Sequence, residues 1–452
     1  MASSLQPATK IVLSDLHMGA GYPERGNALE DFTKDRELVH LLAKLRDESD
    51  TLGLPMELIL NGDIFEFWQV PALRKPESFR PKKRYPIWRY LSTREQDSCR
   101  RMALIVRGHR HVFRALAAFL HETSPRRSLS ILRGNHDVQL YWPAVQATIR
   151  QALAPKGWMS GLVNFPVRSL CRDGVYVEHG SEYADALNRH ADFERPRHPR
   201  RHDRLRMVPG GPLSIRVINR MERDHYWISS VKPVPAIIWY LLRFDLCTAL
   251  RLMLLLLPHL PRLLWLHRPL TRSNRELARD LRSVDAHMAD HHNPSEGTSL
   301  PQCSTGHDGE VGLINLPSLT DVLTDKEAGD DPLLVRGLLE EHTLHARMLK
   351  VAQLKVRQEQ ACVVLFGHTH LPAAEPLEGN AVYINTGSWT WMLDLREEPA
   401  DTWRRLIHHQ DHHDIHHRLT YARVDYGNDR LPRASLNEVG AGRRGARHVA
   451  HR

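Results

Sequence analysis

Short apolar runs along this chain each break off into a polar cluster, and the order of those clusters constrains the fold more than any other feature. Ile11-Val12-Leu13 ends at Ser14-Asp15-Leu16-His17, and Leu58-Ile59-Leu60 ends at Asn61-Gly62-Asp63. Ile131-Leu132 leads into Gly134-Asn135-His136-Asp137, and Val175-Tyr176-Val177 into Glu178-His179-Gly180. Val363-Val364-Leu365-Phe366 ends at Gly367-His368-Thr369-His370, and Val382-Tyr383-Ile384 at Asn385-Thr386-Gly387. Runs of this length bounded by Gly or Asn predict buried strands. Between the early runs, Leu38, Leu41, Leu42 and Leu45 share one face of a helix over 34–48. Val112, Ala115, Leu116, Phe119 and Leu120 do the same over 111–121. Strand, helix and strand in alternation predict an α/β fold with covered sheet faces. Such folds carry their sites at the C-terminal ends of strands, where these clusters fall.

The clusters hold carboxylate, imidazole and amide oxygen, which are ligands for borderline-hard divalent cations such as manganese, iron and zinc. No thiolate takes part, which excludes a structural cysteine-type zinc site. The candidate ligands are Asp15, His17, Asp63, Asn135, His179, His368 and His370. Seven groups exceed what one ion needs and fit two ions sharing one carboxylate. Two such ions clamp a phosphoryl oxygen and generate a hydroxide for in-line attack. The neighbouring glycines are expected to let the backbone turn sharply off each strand. One Asp or His at a strand end is more often a cap than a ligand; five clusters in this order are not accounted for that way.

Asp-Leu-His, Gly-Asp, Gly-Asn-His-Asp, His-Gly and Gly-His-Thr-His, in this order between residues 15 and 370, resemble the calcineurin-like metallophosphoesterase family. The resemblance implies a four-layer αββα sandwich with the dimetal site between two sheets. Carried over by position, it implies that Asp15, His17, Asp63 and His370 hold one ion. Asp63, Asn135, His179 and His368 would hold the other, with Asp63 bridging. His136 would protonate the leaving oxygen or bind the phosphate, and Asp137 would orient it. Manganese is the first expectation for both ions, with iron, zinc or nickel as alternatives. Gly62-Asp63-Ile64-Phe65-Glu66-Phe67-Trp68 is similar to the subgroup around the UDP-2,3-diacylglucosamine pyrophosphohydrolases. There a helical lid inserted between the His-Gly and Gly-His-Thr-His clusters holds acyl chains. This chain carries His136 where those enzymes have Arg, and its insertion is longer, so the resemblance is to the wider subgroup.

The domain reading follows. Residues 1–190 and 358–426 form the phosphoesterase core, 191–357 a mostly helical insertion or lid, and 427–452 a disordered basic tail. Within the insertion, 194–206 is rich in Arg, His and Pro, 293–311 is polar, and 333–357 reads as a helix. Residues 231–270 are the most apolar part of the chain. Arg243, Asp245, Arg251 and Arg262 interrupt them, so no uncharged run reaches the ~18 residues of a membrane span. Two helices are expected, over 236–257 and 261–267. They read either as a buried layer or as an interfacial hairpin, and the arginines, with Arg268, Arg272 and the 196–206 basic cluster, favour an anionic leaflet.

A net charge of +9 admits an anionic partner, whether phosphorylated substrate, membrane or nucleic acid. No basic strip interleaved with aromatics points to nucleic acid. Five scattered cysteines without a paired motif suggest a reducing compartment, and the first residues carry no basic-then-apolar signal. The expected location is cytoplasmic, with peripheral attachment to the inner face of the membrane. Gly108-His109-Arg110-His111 imitates the ligand spacing but opens a helix, and the histidines of 408–417 read as a solvated loop. The expected activity is hydrolysis of a phosphate ester or pyrophosphate bond in a lipid- or nucleotide-linked substrate. A protein phosphatase or nuclease of the same fold is the alternative. A non-catalytic interaction module fits less well, because every expected ligand is present.

Overall fold

The computed structural model describes residues 7–121, 124–153, 160–184, 187–225, 227–229, 231–232, 236–259, 261, 303, 332–390, 393–394 and 418–440. The fold is mixed α/β. One sheet contains β1 (Thr9–Leu13), β2 (Met56–Asn61), β3 (Arg127–Leu132) and β4 (Val163–Asn164), all parallel. A second contains β5 (Ser169–Arg172), β6 (Val175–Glu178), β7 (Val363–Phe366), β8 (Pro372–Pro376) and β9 (Val382–Thr386). Here β6, β7 and β9 run parallel, while β5 and β8 close the edges antiparallel. The chain then returns to the first sheet as β10 (Thr420–Tyr426), antiparallel to β1, and β11 (Pro432–Glu438). The Gly/Asn-bounded apolar runs therefore form the central parallel strands.

The period-2 alternation of each strand divides its side chains between two cores. Ile11, Leu13, Leu58, Leu60, Leu129 and Ile131 pack with the helices α1 (Asp35–Leu52), α2 (Glu95–Gly108), α3 (Arg110–Leu120) and α4 (Pro143–Leu153). The residues between them, Val12 and Ile59, point the other way. They meet Val177, Leu365 and Ile384 of the second sheet. Tyr176, Val364, Phe366 and Tyr383 face a long helix, whose Met348, Val351 and Val356 cover them. Counting the helices of the insertion, α5 (Ala236–Phe244) and α6 (Leu246–Leu256), this long helix is α7 (Pro332–Glu359).

Several expectations need correction. The tail is ordered as far as Gly440: β11 pairs with β10 over seven residues. Its alternating Ala434 and Leu436 pack against the core between the sheets, a period hidden by the Arg-rich composition around it. The helix expected over 236–257 is two helices, α5 and α6. They break at Asp245, whose carboxylate leaves the first helix to accept the Thr248 N–H of the second at 3.0 Å. Cys303 and Cys362 form a disulfide across 59 residues, a pairing that no local motif announces, in place of the reduced thiols expected. The first part of the insertion is also welded to the core. Leu205, Val208 and Ile215 belong to the helix-side cluster, and Thr93 exchanges hydrogen bonds with the Leu205 backbone. The helix expected over 261–267, the polar stretch 293–311, the histidines of 408–417 and the tail beyond 440 lie outside the described residues, save for Pro261 and Cys303.

Gly108-His109 does mark a helix start, between α2 and α3, and it also supports the Asp-Leu-His loop. His109 is buried, with Nδ1 at 3.0 Å from Asp35 and Nε2 at 3.3 Å from Glu30. Glu30 in turn accepts the Gly19 and Gly21 N–H groups at 3.0 and 2.5 Å. Burial opposes a charge on His109, but Glu30 and Asp35 outweigh it and raise its pKa to about 10. A raised histidine pKa stabilises fully below the unfolded value of about 6.5 and loses its contribution as pH rises through the folded value. Denaturant unfolding between pH 6.5 and 10 should therefore show stability falling in the wild type and falling less in His109→Phe. At pH 6.5 that variant should be weaker by about 3 kcal/mol, because Glu30 stays buried without its cation.

Candidate metal centre

Each ligand-bearing cluster leaves the C-terminal end of a parallel strand. Asp15 and His17 follow β1, Asp63 follows β2, Asn135 to Asp137 follow β3, His179 follows β6, and His368 and His370 follow β7. Five of the seven candidate ligands sit in left-handed backbone: φ is 52° at Asp15, 50° at His17, 50° at Asp63, 69° at His368 and 63° at His370. Each such residue costs on the order of 1 kcal/mol or more, and persists where its surroundings force it. Two of the neighbouring glycines turn as expected, Gly62 with φ 78° and Gly180 with φ 99°, while at Gly134 and Gly367 the reason is space. A methyl group on Gly134 would overlap the Asp63 carboxylate, and one on Gly367 would lie 2.6 Å from Asp15 Oδ2.

Three groups of side chains present ligand atoms close enough to hold a cation: Asp15, His17 and His370; Asp63, His179 and His368; and His17, Glu66 and His136. In the first, His370 Nε2 lies 3.3 Å from Asp15 Oδ1 and 3.2 Å from His17 Nε2. Asp15 Oδ1 is buried without a hydrogen-bond donor, while Oδ2 accepts the His368 N–H at 2.9 Å. A buried carboxylate oxygen facing two imidazole nitrogens suits a divalent cation better than it suits a protein lacking one. In the second group, His179 Nε2 is 3.3 Å from Asp63 Oδ2 and 3.3 Å from Asn135 Oδ1. Asp63 Oδ2 is also 4.0 Å from His17 Nε2, so one oxygen faces both groups. The other, Oδ1, is held by the His136 backbone N–H at 2.7 Å.

The outer contacts orient these rings. His179 Nδ1 lies 3.0 Å from the Asn61 carbonyl and His17 Nδ1 lies 2.9 Å from Glu66 Oε2, which leaves each Nε2 as the ligating nitrogen. Glu66 also meets His136 Nδ1 at 2.5 Å, and the His136 ring stacks on Trp68 with centroids 3.7 Å apart. The third group therefore reads as a carboxylate steering two histidines. Asp137 does not occupy the place expected of it beside His136. Its oxygens accept the Gly134, Ile64 and Phe65 N–H groups at 2.6, 2.9 and 3.4 Å, tying the β3 loop to the β2 loop. Glu66 was overlooked as chemistry. Its sequence signal is a lone carboxylate between Phe65 and Phe67, in a stretch too apolar for a solvated acid.

The electrostatics fit a cation site. Burial disfavours charge on Asp15 and Glu66, yet His179 and His370 for the first, and His136 and His17 for the second, hold both pKa values near 2. Burial likewise opposes charge on Asp63, and His179 and His136 outweigh it and hold its carboxyl well below the usual range. Against the burial cost, the Glu66 hydrogen bond and Asp63 raise His17 to about 9, and Asp63 and Asp15 raise His179 to about 10. Burial and the charge of His179 lower His368 to about 3. The ring protons of His17 and His179 thus balance the buried carboxylates, and a cation held there would displace them.

No family model and no curated protein matches the chain. The roles of these residues therefore rest on geometry, and Glu66 offers a direct check. Glu66→Gln keeps the shape but loses the charge that holds two rings, and should weaken manganese binding by about 10–100-fold. Titration of metal-stripped protein against a competing indicator measures this.

Proposed function

We propose that this chain is a dimetal hydrolase of the calcineurin-like metallophosphoesterase type, cleaving a phosphate ester or pyrophosphate bond. The observation that carries the reading is the convergence of two ligand sets on one oxygen, Asp63 Oδ2, with His179 Nε2 at 3.3 Å and His17 Nε2 at 4.0 Å. Asp15 and His370 would complete the site on the His17 side, and Asn135 and His368 that on the His179 side. Manganese suits this carboxylate, imidazole and amide set, with iron, zinc or nickel as alternatives. Two facing sheets with helices on their outer faces support a four-layer αββα sandwich as the finer description of the fold.

Two cations held by these residues would supply Lewis acidity and lower the pKa of water toward neutrality. The remaining work falls to the chain. His136 is placed to give a proton to the leaving oxygen from Nε2, because Glu66 holds Nδ1 and leaves Nε2 free to face the substrate. Stacking on Trp68 fixes the plane of that ring. Asp137 acts one layer behind, holding the Gly-Asn-His-Asp loop against Ile64. A lipid- or nucleotide-linked phosphate is the substrate class that best fits the resemblance of the β2 loop. A panel of phosphomonoesters, phosphodiesters, nucleotide pyrophosphates and phospholipids, each with several divalent metals, would resolve it.

Chelation should abolish hydrolysis of p-nitrophenyl phosphate or its bis ester, and manganese should restore it. Asp63→Asn should be the most damaging ligand change; full activity in that variant would overturn the shared-carboxylate reading. His136→Ala should keep its bound metal and lose about 10²–10⁴-fold in turnover. The loss should shrink with leaving groups that need no proton, and a fall in metal content would instead make His136 a ligand.

A further inference from the structure

On the insertion side of the molecule lies a cavity of about 530 Å³, lined by Arg84, Arg220, Arg223, Arg251, Ile215 and Leu255 among others, with no carboxylate in its lining. Asp224 pairs with Arg84 at 3.3 Å and with Arg251 at 2.6 Å, and Arg223 donates to the Tyr90 hydroxyl at 3.2 Å. One wall follows directly on the exposed basic residues Lys82, Lys83 and Arg84, and carries Trp88, which is 63% exposed.

The opposite wall belongs to α6. A surface helix of a soluble domain has one apolar face and one polar face. This helix buries Thr248, Ala249 and Leu252, yet its other face shows Leu246, Leu250, Met253 and Leu254 to solvent, the last 67% exposed. Leu242 before it and Leu257 after it extend the ridge. Arg251 and Leu255, which line the cavity, are each one residue, about 100° around the helix, from Leu250 and Leu254. The ridge therefore borders the arginine cavity. Isolated exposed leucines need no explanation, but a contiguous row beside a cavity lined by four arginines does.

We infer that this ridge and cavity dock the protein on an anionic bilayer leaflet, the leucines entering the interface and the arginines receiving a lipid headgroup phosphate. The charge argues for lipid over a second copy of the chain, because a two-fold contact through the ridge would gather the same arginines from both subunits. No helix among the described residues is long and apolar enough to cross a membrane, so the contact is interfacial. It also reaches the catalytic side: Asn219 lines the cavity and donates to the Trp68 carbonyl at 2.8 Å, and Trp68 stacks on His136.

The test is sedimentation of the full chain with phosphatidylcholine vesicles, with and without phosphatidylglycerol, at low and high salt. Binding should require phosphatidylglycerol and weaken with salt. Arg220→Gln should weaken it about fivefold, the equivalent of the ~1 kcal/mol expected per basic residue at an anionic surface. The double variant L250Q/L254Q should weaken it by about tenfold or more. Circular dichroism should show both variants melting as the wild type does, since the substituted side chains are exposed. Equal binding to both vesicle types, or unaltered binding by L250Q/L254Q, would overturn the inference. So would a ridge-dependent dimer in sedimentation velocity without vesicle binding, which would make a second copy the occupant. Binding is read without turnover, so its failure leaves the hydrolytic reading standing.

Discussion

Three carboxylates, Asp15, Asp63 and Glu66, are buried within reach of the same histidines, and most of the local architecture can be understood as holding that charge out of water. Removing an ionised carboxylate from water costs several kcal/mol even after relaxation. The cost is met in two ways. Backbone N–H groups of His136 and His368 bond one oxygen each of Asp63 and Asp15. The rings of His17 and His179, whose pKa values are raised, balance the charge. Left-handed backbone at five ligand positions adds to that cost and is held by these contacts. Gly134 and Gly367 follow from this crowding, since the space a side chain would need is taken by a carboxylate from another loop.

The parts legible in the sequence are those with local causes. Apolar runs ending in Gly or Asn mark the central strands, and the 3.6-residue period marks α1 and α3, because each depends on neighbours a few residues away. The ligand side chains could be named for the same reason, each being fixed to a strand end. Their support could not. Glu66 reads as part of a Phe-rich stretch until His17, 49 positions away, and His136, 70 positions away, are brought to it. Asp137 shows the converse. Adjacency to His136 suggested a partner, but the tight loop turns its oxygens to backbone amides. The strand at Pro432–Glu438 was masked by composition, and it forms because β10 offers an open edge on which Ala434 and Leu436 can alternate.

The insertion is less a separate lid than an extension of the β2 loop. Gly211 lies against the Trp68 ring, where a methyl group would come within 3.1 Å. Asn219 bonds the Trp68 carbonyl, and Gln69 donates to both Asp31 and Glu222 at 3.0 and 2.9 Å. The stretch that supplies Asp63 and Glu66 to the candidate metal centre thus supplies, two and three residues after Glu66, the residues on which the insertion rests. Residues 211–222 therefore rest on Trp68, on whose ring His136 stacks.

Strain at one end of a sheet pair is sustainable if the other end cannot give way. Opposite the metal centre, near the start of the parallel strands, a buried polar network ties the sheets together. Lys10 of β1 is fully buried and meets Asp173 at 2.7 Å and the Tyr426 hydroxyl at 2.6 Å, while Glu57 of β2 takes Ser130 of β3 at 2.6 Å and pairs with Arg172 of β5. Burial pulls the pKa of Lys10 down and the Asp173 contact pulls it back, the balance expected of a charge kept for position more than for net stability. Between the two ends lies the apolar seam of Val12, Ile59, Val177 and Leu365. The sheets are thus tied by polar contacts at the far end and by apolar packing in the middle, and the left-handed turns that carry the candidate ligands sit at the near end.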